Sequence, residues 1–145
     1  MMNVNYFEKR IAFGMKIREI MRPVRTIEKG DTVKQAAKIM AENRIGSLVV
    51  ISGKKIIGIM TERDILIKIT AQGKSSDRVS VGEIMTSRVL TVGPDASLDD
   101  AVYLMIEHKI KKLPVVDETG EIVGIVTATD VIANSSEVGE YFLLG

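Results

Sequence analysis

Cysteine is absent from the chain, which removes disulfides, thiolate metal sites and cysteine nucleophiles in one step. Tryptophan is absent too, and the aromatic residues are three Phe and three Tyr. There is one histidine, His108, and no Asp/Glu/His cluster at helical spacing accompanies it, so a metal site would lack its second and third strong ligands. Neither sign of charge is in excess: Lys plus Arg number 20 and Asp plus Glu 19, so no overall field argues for nucleic acid or a membrane surface. No apolar run approaches the roughly eighteen residues of a membrane span. Residues 1–16 are broken by Glu8, Lys9 and Arg10 and lack the continuous apolar centre of a signal peptide. The expected location is cytoplasmic.

What is present is the composition of a folded protein, 46% hydrophobic and 27% charged over 145 residues, enough for one domain or two very small ones. The most informative stretch is Ile122-Val123-Gly124-Ile125-Val126-Thr127-Ala128-Thr129-Asp130, because it occurs twice. The earlier copy is Ile56-Ile57-Gly58-Ile59-Met60-Thr61-Glu62-Arg63-Asp64. In each, an apolar run interrupted by glycine gives way to Thr-x-x-Asp and a new apolar pattern, which reads as a strand feeding a helix. Thr and Asp then stand at a helix start, where unpaired N–H groups and the helix dipole favour anions and a carboxylate can face a sugar diol. The same spacing also describes a capping box that merely starts a helix.

The repetition extends further. Ile17-Arg18-Glu19-Ile20-Met21 returns as Val81-Gly82-Glu83-Ile84-Met85, Thr26-Ile27 as Thr91-Val92, and Asp64 as Asp130, at offsets of 64, 65 and 66. The drift is absorbed between Met85 and Thr91 and in the turn Asp117-Glu118-Thr119-Gly120, where insertions are tolerated. The chain therefore divides into an N-terminal arm (1–16), repeat 1 (17–71), a linker (72–80), repeat 2 (81–134) and a tail (135–145).

Each repeat reads as β-α-β-β-α. Val24 to Ile27 is a short strand, and Thr32 caps a helix whose stripe is Val33, Ala36, Ala37 and Met40; Leu98, Ala101, Val102 and Met105 repeat that stripe after Ser97. Leu48–Ile51 and Ile56–Met60 form a hairpin, and Leu113–Val116 with Ile122–Val126 form its partner. Their strands are apolar on both faces, so both sides of each sheet should be covered. A unit of about fifty residues is marginal alone, so the two should pack sheet to sheet about a pseudo-twofold axis, with clefts between them. Tyr6, Phe7, Phe13, Tyr141 and Phe142 lie outside the repeats, and the terminal segments are expected to pack on the module or on a second chain.

Two tandem units with Thr-Ile or Thr-Val ahead of a helix, a strand such as Leu113-Pro114-Val115-Val116-Asp117, and a closing Gly-Ile-x-Thr-x-x-Asp resemble the paired CBS domain, or Bateman module. The resemblance covers Ile17 to Asn134. It implies an α/β (α+β) module, often paired into a homodimer, that binds AMP, ADP, ATP, NAD or S-adenosylmethionine. Carried over by position, Asp64 and Asp130 would accept from the ribose hydroxyls, an ionised carboxylate offering both oxygens to a diol. Thr61 and Thr127 would contact ribose or phosphate. Thr26 and Thr91, with the backbone at Ile45, Gly46 and Ser47 and at Ile110, Lys111 and Lys112, would border the adenine, and Pro114 follows in the second copy.

The copies diverge where repeat 2 reads Ile110-Lys111-Lys112-Leu113-Pro114 and repeat 1 reads Ile45-Gly46-Ser47-Leu48-Val49. Lysines there suit phosphate as flexible point charges, or form a solvated basic turn. Arg63, beside Asp64, has Thr129 as its counterpart and is either a second phosphate ligand or an exposed first-turn residue. One nucleotide per chain is thus as plausible as two. Gly73-Lys74-Ser75-Ser76 fails as a P-loop because residue 68 is lysine where glycine is needed. His108 sits near a helix end, suited to capping or the surface. No nucleophile–base pair is visible, so no enzyme is expected.

The resulting expectation is a stand-alone regulatory, energy-sensing module that needs no cofactor, binds an adenine nucleotide and signals to an effector protein by a conformational shift. Its rivals are a nucleic-acid-binding module, using Lys109, Lys111 and Lys112, and a purely structural dimerisation module.

Overall fold

The computed structural model describes residues 15–134. The expected mixed α/β architecture is present, as two compact units that cut across the sequence repeats. One is Arg25–Val89; the other joins residues up to Val24 with those from Leu90 onward. The terminal aromatic residues Tyr6, Phe7, Phe13, Tyr141 and Phe142 lie outside the described residues.

In the Arg25–Val89 unit, β1 (Thr26–Glu28) lies parallel to β2 (Ser47–Ser52), which pairs antiparallel with β3 (Lys55–Thr61). Helix α1 (Val33–Asn43) is started by Thr32, whose hydroxyl accepts from the Gln35 N–H, and it buries Val33, Ala36 and Met40 of the expected stripe. These pack with Leu48, Val50 and Met60 of the sheet. Helix α2 (Glu62–Ile65) runs into a π-helical turn over Leu66–Thr70, closed by the Ala71 N–H on the Leu66 carbonyl at 2.9 Å. The short helix α3 (Val81–Ile84), from the start of repeat 2, seals this core with Val81 and Ile84.

The other unit repeats the plan. Helix α4 (Leu98–His108) buries Leu98, Ala101, Val102 and Met105, and packs on the hairpin of β4 (Lys112–Val116) and β5 (Ile122–Thr127), with α5 (Ala128–Asn134) following. Its core takes Ile17 and Ile20 from the start of repeat 1, where residues 17–19 form a 3-10 turn. Each core is therefore closed by the opening segment of the opposite repeat. The backbone contacts match in pairs: the Leu98 N–H donates to the Met15 carbonyl at 3.1 Å, as that of Val33 does to Val79 at 2.9 Å.

The first strands differ from expectation. β1 starts at Thr26, two residues later than the apolar pattern suggests, and its counterpart is one parallel bridge between Val92 and Val115. Proline explains the shortening. The Lys29 N–H donates to the Ile51 carbonyl at 3.1 Å, whereas the matching residue in repeat 2 is Pro94, which has no N–H to continue the ladder.

Candidate ligand-binding site

The Thr-x-x-Asp boxes form where each hairpin hands over to a helix. β3 and β5 end on threonines in extended conformation, and a threonine with an acidic residue three positions on closes both ends of the first turn. At Thr127, the backbone N–H and the hydroxyl donate to Asp130 Oδ2 at 3.0 and 2.8 Å, while the Asp130 N–H donates back to the Thr127 hydroxyl at 3.2 Å. At Thr61 the distances to Asp64 are 2.9, 3.1 and 3.2 Å. The capping geometry is complete in both copies.

That geometry changes what the carboxylates can offer a diol. In each aspartate Oδ2 already accepts two bonds, which fills its two lone-pair positions. Oδ1 is engaged by a cation: Arg22 Nε in the case of Asp130, and Lys68 Nζ at 3.1 Å in the case of Asp64. Each carboxylate therefore has protein partners on both oxygens. Among the described residues, one further acceptor position remains on each Oδ1. Asp130 is 3% exposed and is the buried charged residue among the described residues, so its pairing with the two-thirds-exposed Arg22 is what keeps that charge compensated.

The remaining expected residues separate by unit. Thr26, Ile45, Gly46, Ser47, Thr61, Arg63 and Asp64 fall in one; Thr91, Ile110, Lys111, Lys112, Pro114, Thr127 and Asp130 fall in the other. In the first, Ser47 stands opposite Thr61 across the hairpin, the Glu62 N–H donates to the Gly46 carbonyl at 2.9 Å, and Thr26 pairs with Val49. Ile45 and Gly46 line a hollow of ≈ 450 Å³ with Met40, Glu62 and Ile65. Arg63 is exposed on α2. In the second, Lys112 stands opposite Thr127 and Pro114 opposite Ile125, and the Ala128 N–H donates to the Lys111 carbonyl at 2.8 Å. Thr91 lines a different hollow of ≈ 570 Å³ with Arg18, Asp95 and Asp117, away from the Thr127–Asp130 box.

Two residues at the site escaped the sequence reading. Lys68 is four positions beyond Asp64, a helical spacing that could have revealed it. Arg22 is 108 positions from Asp130, and only the pairing of its backbone with Ile125 brings the two together. Among the described residues no group of three or more His, Cys, Asp or Glu is placed to hold a metal, and no helix is long and apolar enough to cross a membrane.

The same arrangement of elements occurs in known proteins. The chain is 42% identical over 112 residues to an uncharacterized protein, MK0525, of Methanopyrus kandleri, covering 77% of this chain and 57% of that one. It is 40% identical over 117 residues to an inosine-5'-monophosphate dehydrogenase of Korarchaeum cryptofilum, spanning 81% of this chain but 23% of the enzyme. Among solved structures, the CBS domain pair of protein MJ0100, in complex with 5'-methylthioadenosine and S-adenosyl-L-methionine, shares 30% identity with a TM-score of 0.70 over 82% of this chain and 94% of that one. CBSX2 in complex with AMP shares 26% identity with a TM-score of 0.74 over 87% and 99%. The CBS domain model matches residues 17–71 and again 81–137, and the chain belongs to the CBS-domain family, with two such domains in tandem.

Proposed function

We propose that this chain is a regulatory module that binds an adenosine-containing ligand at its Thr-x-x-Asp boxes and signals occupancy to a partner. The observation that carries the reading is the state of Asp64 and Asp130: each has one oxygen committed to the helix start and the other engaged by a single cation, with one acceptor position left for a ribose hydroxyl. The ligands in the related complexes, AMP, 5'-methylthioadenosine and S-adenosyl-L-methionine, all carry that ribose. An adenine nucleotide, AMP, ADP or ATP, is the ligand class favoured here. Thr26 and the backbone at 45–47 and 110–112 border the base, and Lys111 and Lys112 supply charge toward phosphate. Signalling proceeds by population shift in a homodimer read by an effector protein, because a ligand moves an equilibrium only through its differential affinity for two states.

Thermal unfolding with AMP, ADP, ATP, NAD and S-adenosylmethionine, on wild type, Asp64→Asn and Asp130→Asn, tests this. A ligand at a hundred times its dissociation constant should stabilise by about 2.7 kcal/mol, and the shift should vanish in at least one variant. No shift with any ligand would sink the reading.

A second reading, a purely structural module, is favoured by one observation: protein groups complete both capping boxes. It requires Thr61→Ala and Thr127→Ala to lower stability by about 1 kcal/mol each with no ligand response in the wild type.

A further inference from the structure

We propose that Arg22 contacts the phosphate of the bound ligand and sets specificity, so that the Asp130 site takes a 5'-phosphorylated adenosine and the Asp64 site does not. The inference rests on the adenosine reading above and goes beyond it in assigning a residue and a ligand class to one site.

Arg22 is placed by its backbone. Its N–H donates to the Ile125 carbonyl at 2.9 Å and its carbonyl accepts from the Ile125 N–H at 3.0 Å, which fixes its Cα beside β5 two residues before Thr127. From there Nε reaches Asp130 Oδ1. A guanidinium has five N–H donors in one plane, so this bond leaves the four on Nη1 and Nη2. The side chain is 66% exposed while Asp130 is 3% exposed, so the guanidinium lies at the solvent side of a buried carboxylate. A hydroxyl taking the remaining position on Oδ1 is then bound to the same atom as Arg22, and a 5'-phosphate on that ribose comes next to a planar donor fork suited to it.

The other unit lacks this device. Thr86 occupies the place of Arg22, paired with Ile59 as Arg22 is with Ile125. The cation on Asp64 is Lys68, whose Nζ also donates to the Ile84 carbonyl at 2.8 Å. Glu62 follows Thr61 where Ala128 follows Thr127, and its Oε1 stands 3.1 Å from where a side chain on Gly46 would begin, so the position matching Lys111 is covered by a carboxylate. The Asp130 carboxylate thus carries the Arg22 guanidinium, whereas the Asp64 carboxylate carries the Lys68 ammonium and has Glu62 on the same short helix.

Isothermal titration of the full chain with AMP and with 5'-methylthioadenosine, an adenosine derivative carrying a methylthio group at the 5' position and no phosphate, separates the possibilities. For Arg22→Gln, AMP should weaken about tenfold or more beyond any weakening of 5'-methylthioadenosine, the loss of one charge-assisted contact. Thr86→Arg should add AMP binding at the second site. Unchanged AMP affinity in Arg22→Gln, or equal weakening of both ligands, overturns the proposal while leaving the adenosine reading standing. Failure of both ligands to bind wild type overturns the two together. If Arg22→Gln melts well below wild type, Arg22→Lys replaces it; retained AMP selectivity there supports the role and its loss for both ligands refutes it.

Discussion

Gly124 lies against Met21: a β-carbon built on the glycine would stand 3.0 Å from the Met21 sulfur and 3.1 Å from the Arg22 carbonyl oxygen. Gly58 stands in the same relation to Met85 and Thr86, more tightly, at 2.6 and 2.8 Å. The glycine in each Gly-x-x-Thr-x-x-Asp stretch is therefore where the opening segment of the opposite repeat meets the hairpin strand. A thioether can swing aside, but a carbonyl held in a bridge cannot. Gly58→Ala should cost about 1–3 kcal/mol as overpacking, and Gly124→Ala less. Urea midpoints of the two variants check the order; equal stability to wild type in Gly58→Ala would contradict the packing described.

The two capping boxes should not be equally sensitive at their acids. Replacing Asp64 or Asp130 by Ala removes the same two bonds from Thr61 or Thr127, worth about 1 kcal/mol as a cap. Asp130→Ala also leaves a cavity in a site that is 3% exposed, whereas Asp64, at 13%, is partly open. Asp130→Ala is expected to be the more destabilising, and the Arg22 charge left behind is exposed enough to be solvated. Denaturant titration of the two variants without ligand decides it.

Much of this was legible in the sequence for one reason, that it was written twice. The stripes Val33, Ala36, Met40 and Leu98, Ala101, Val102, Met105 have helical period and are buried as that period requires. The hairpins and the Thr–Asp boxes followed from local chemistry. What local chemistry cannot specify is which opening segment closes which core. Ile17-x-x-Ile20-Met21 and Val81-x-x-Ile84-Met85 are interchangeable as apolar patterns, yet the first packs with Val115 and Val126 and the second with Val50 and Met60. The Arg22–Asp130 pair is a consequence of that exchange and was invisible for the same reason. Pro94 could have been read as a strand stop. For the π-helical turn at Leu66–Thr70 there is no physical account.

Both core helices end on a non-glycine residue in the left-handed conformation, Arg44 at φ 52° and Lys109 at φ 55°. That conformation is strained for a side-chain-bearing residue and is where helices most often place glycine. The cap itself is made by backbone: the Ile45 N–H on the Met40 carbonyl and the Ile110 N–H on the Met105 carbonyl, both at 3.0 Å. Arg44→Gly and Lys109→Gly should each stabilise by about 0.5–1 kcal/mol. A lower melting temperature in both would mean that the side chains contribute more than the backbone strain costs.

Acid should act on the start of α3 through Glu83. The Ser80 backbone N–H donates to Glu83 Oε2 at 2.6 Å and the Ser80 hydroxyl at 2.9 Å. These bonds, the backbone one foremost, hold the Glu83 carboxyl below its ordinary value of 4.5. A carboxyl whose folded pKa is depressed contributes stability that is fully present above its unfolded pKa and is lost as pH falls through the folded one. The window is therefore from about pH 4.5 downward, with stability falling toward acid. Glu83→Gln keeps an amide oxygen for the cap but cannot titrate, so its urea midpoint should fall less steeply than that of wild type as pH is lowered through that window, while the two stay parallel above pH 6. Since Val81 and Ile84 of the same helix close the core on Val50 and Met60, loosening α3 should expose that core, and parallel curves through the acid window would show that the Ser80–Glu83 box plays no part in holding it shut.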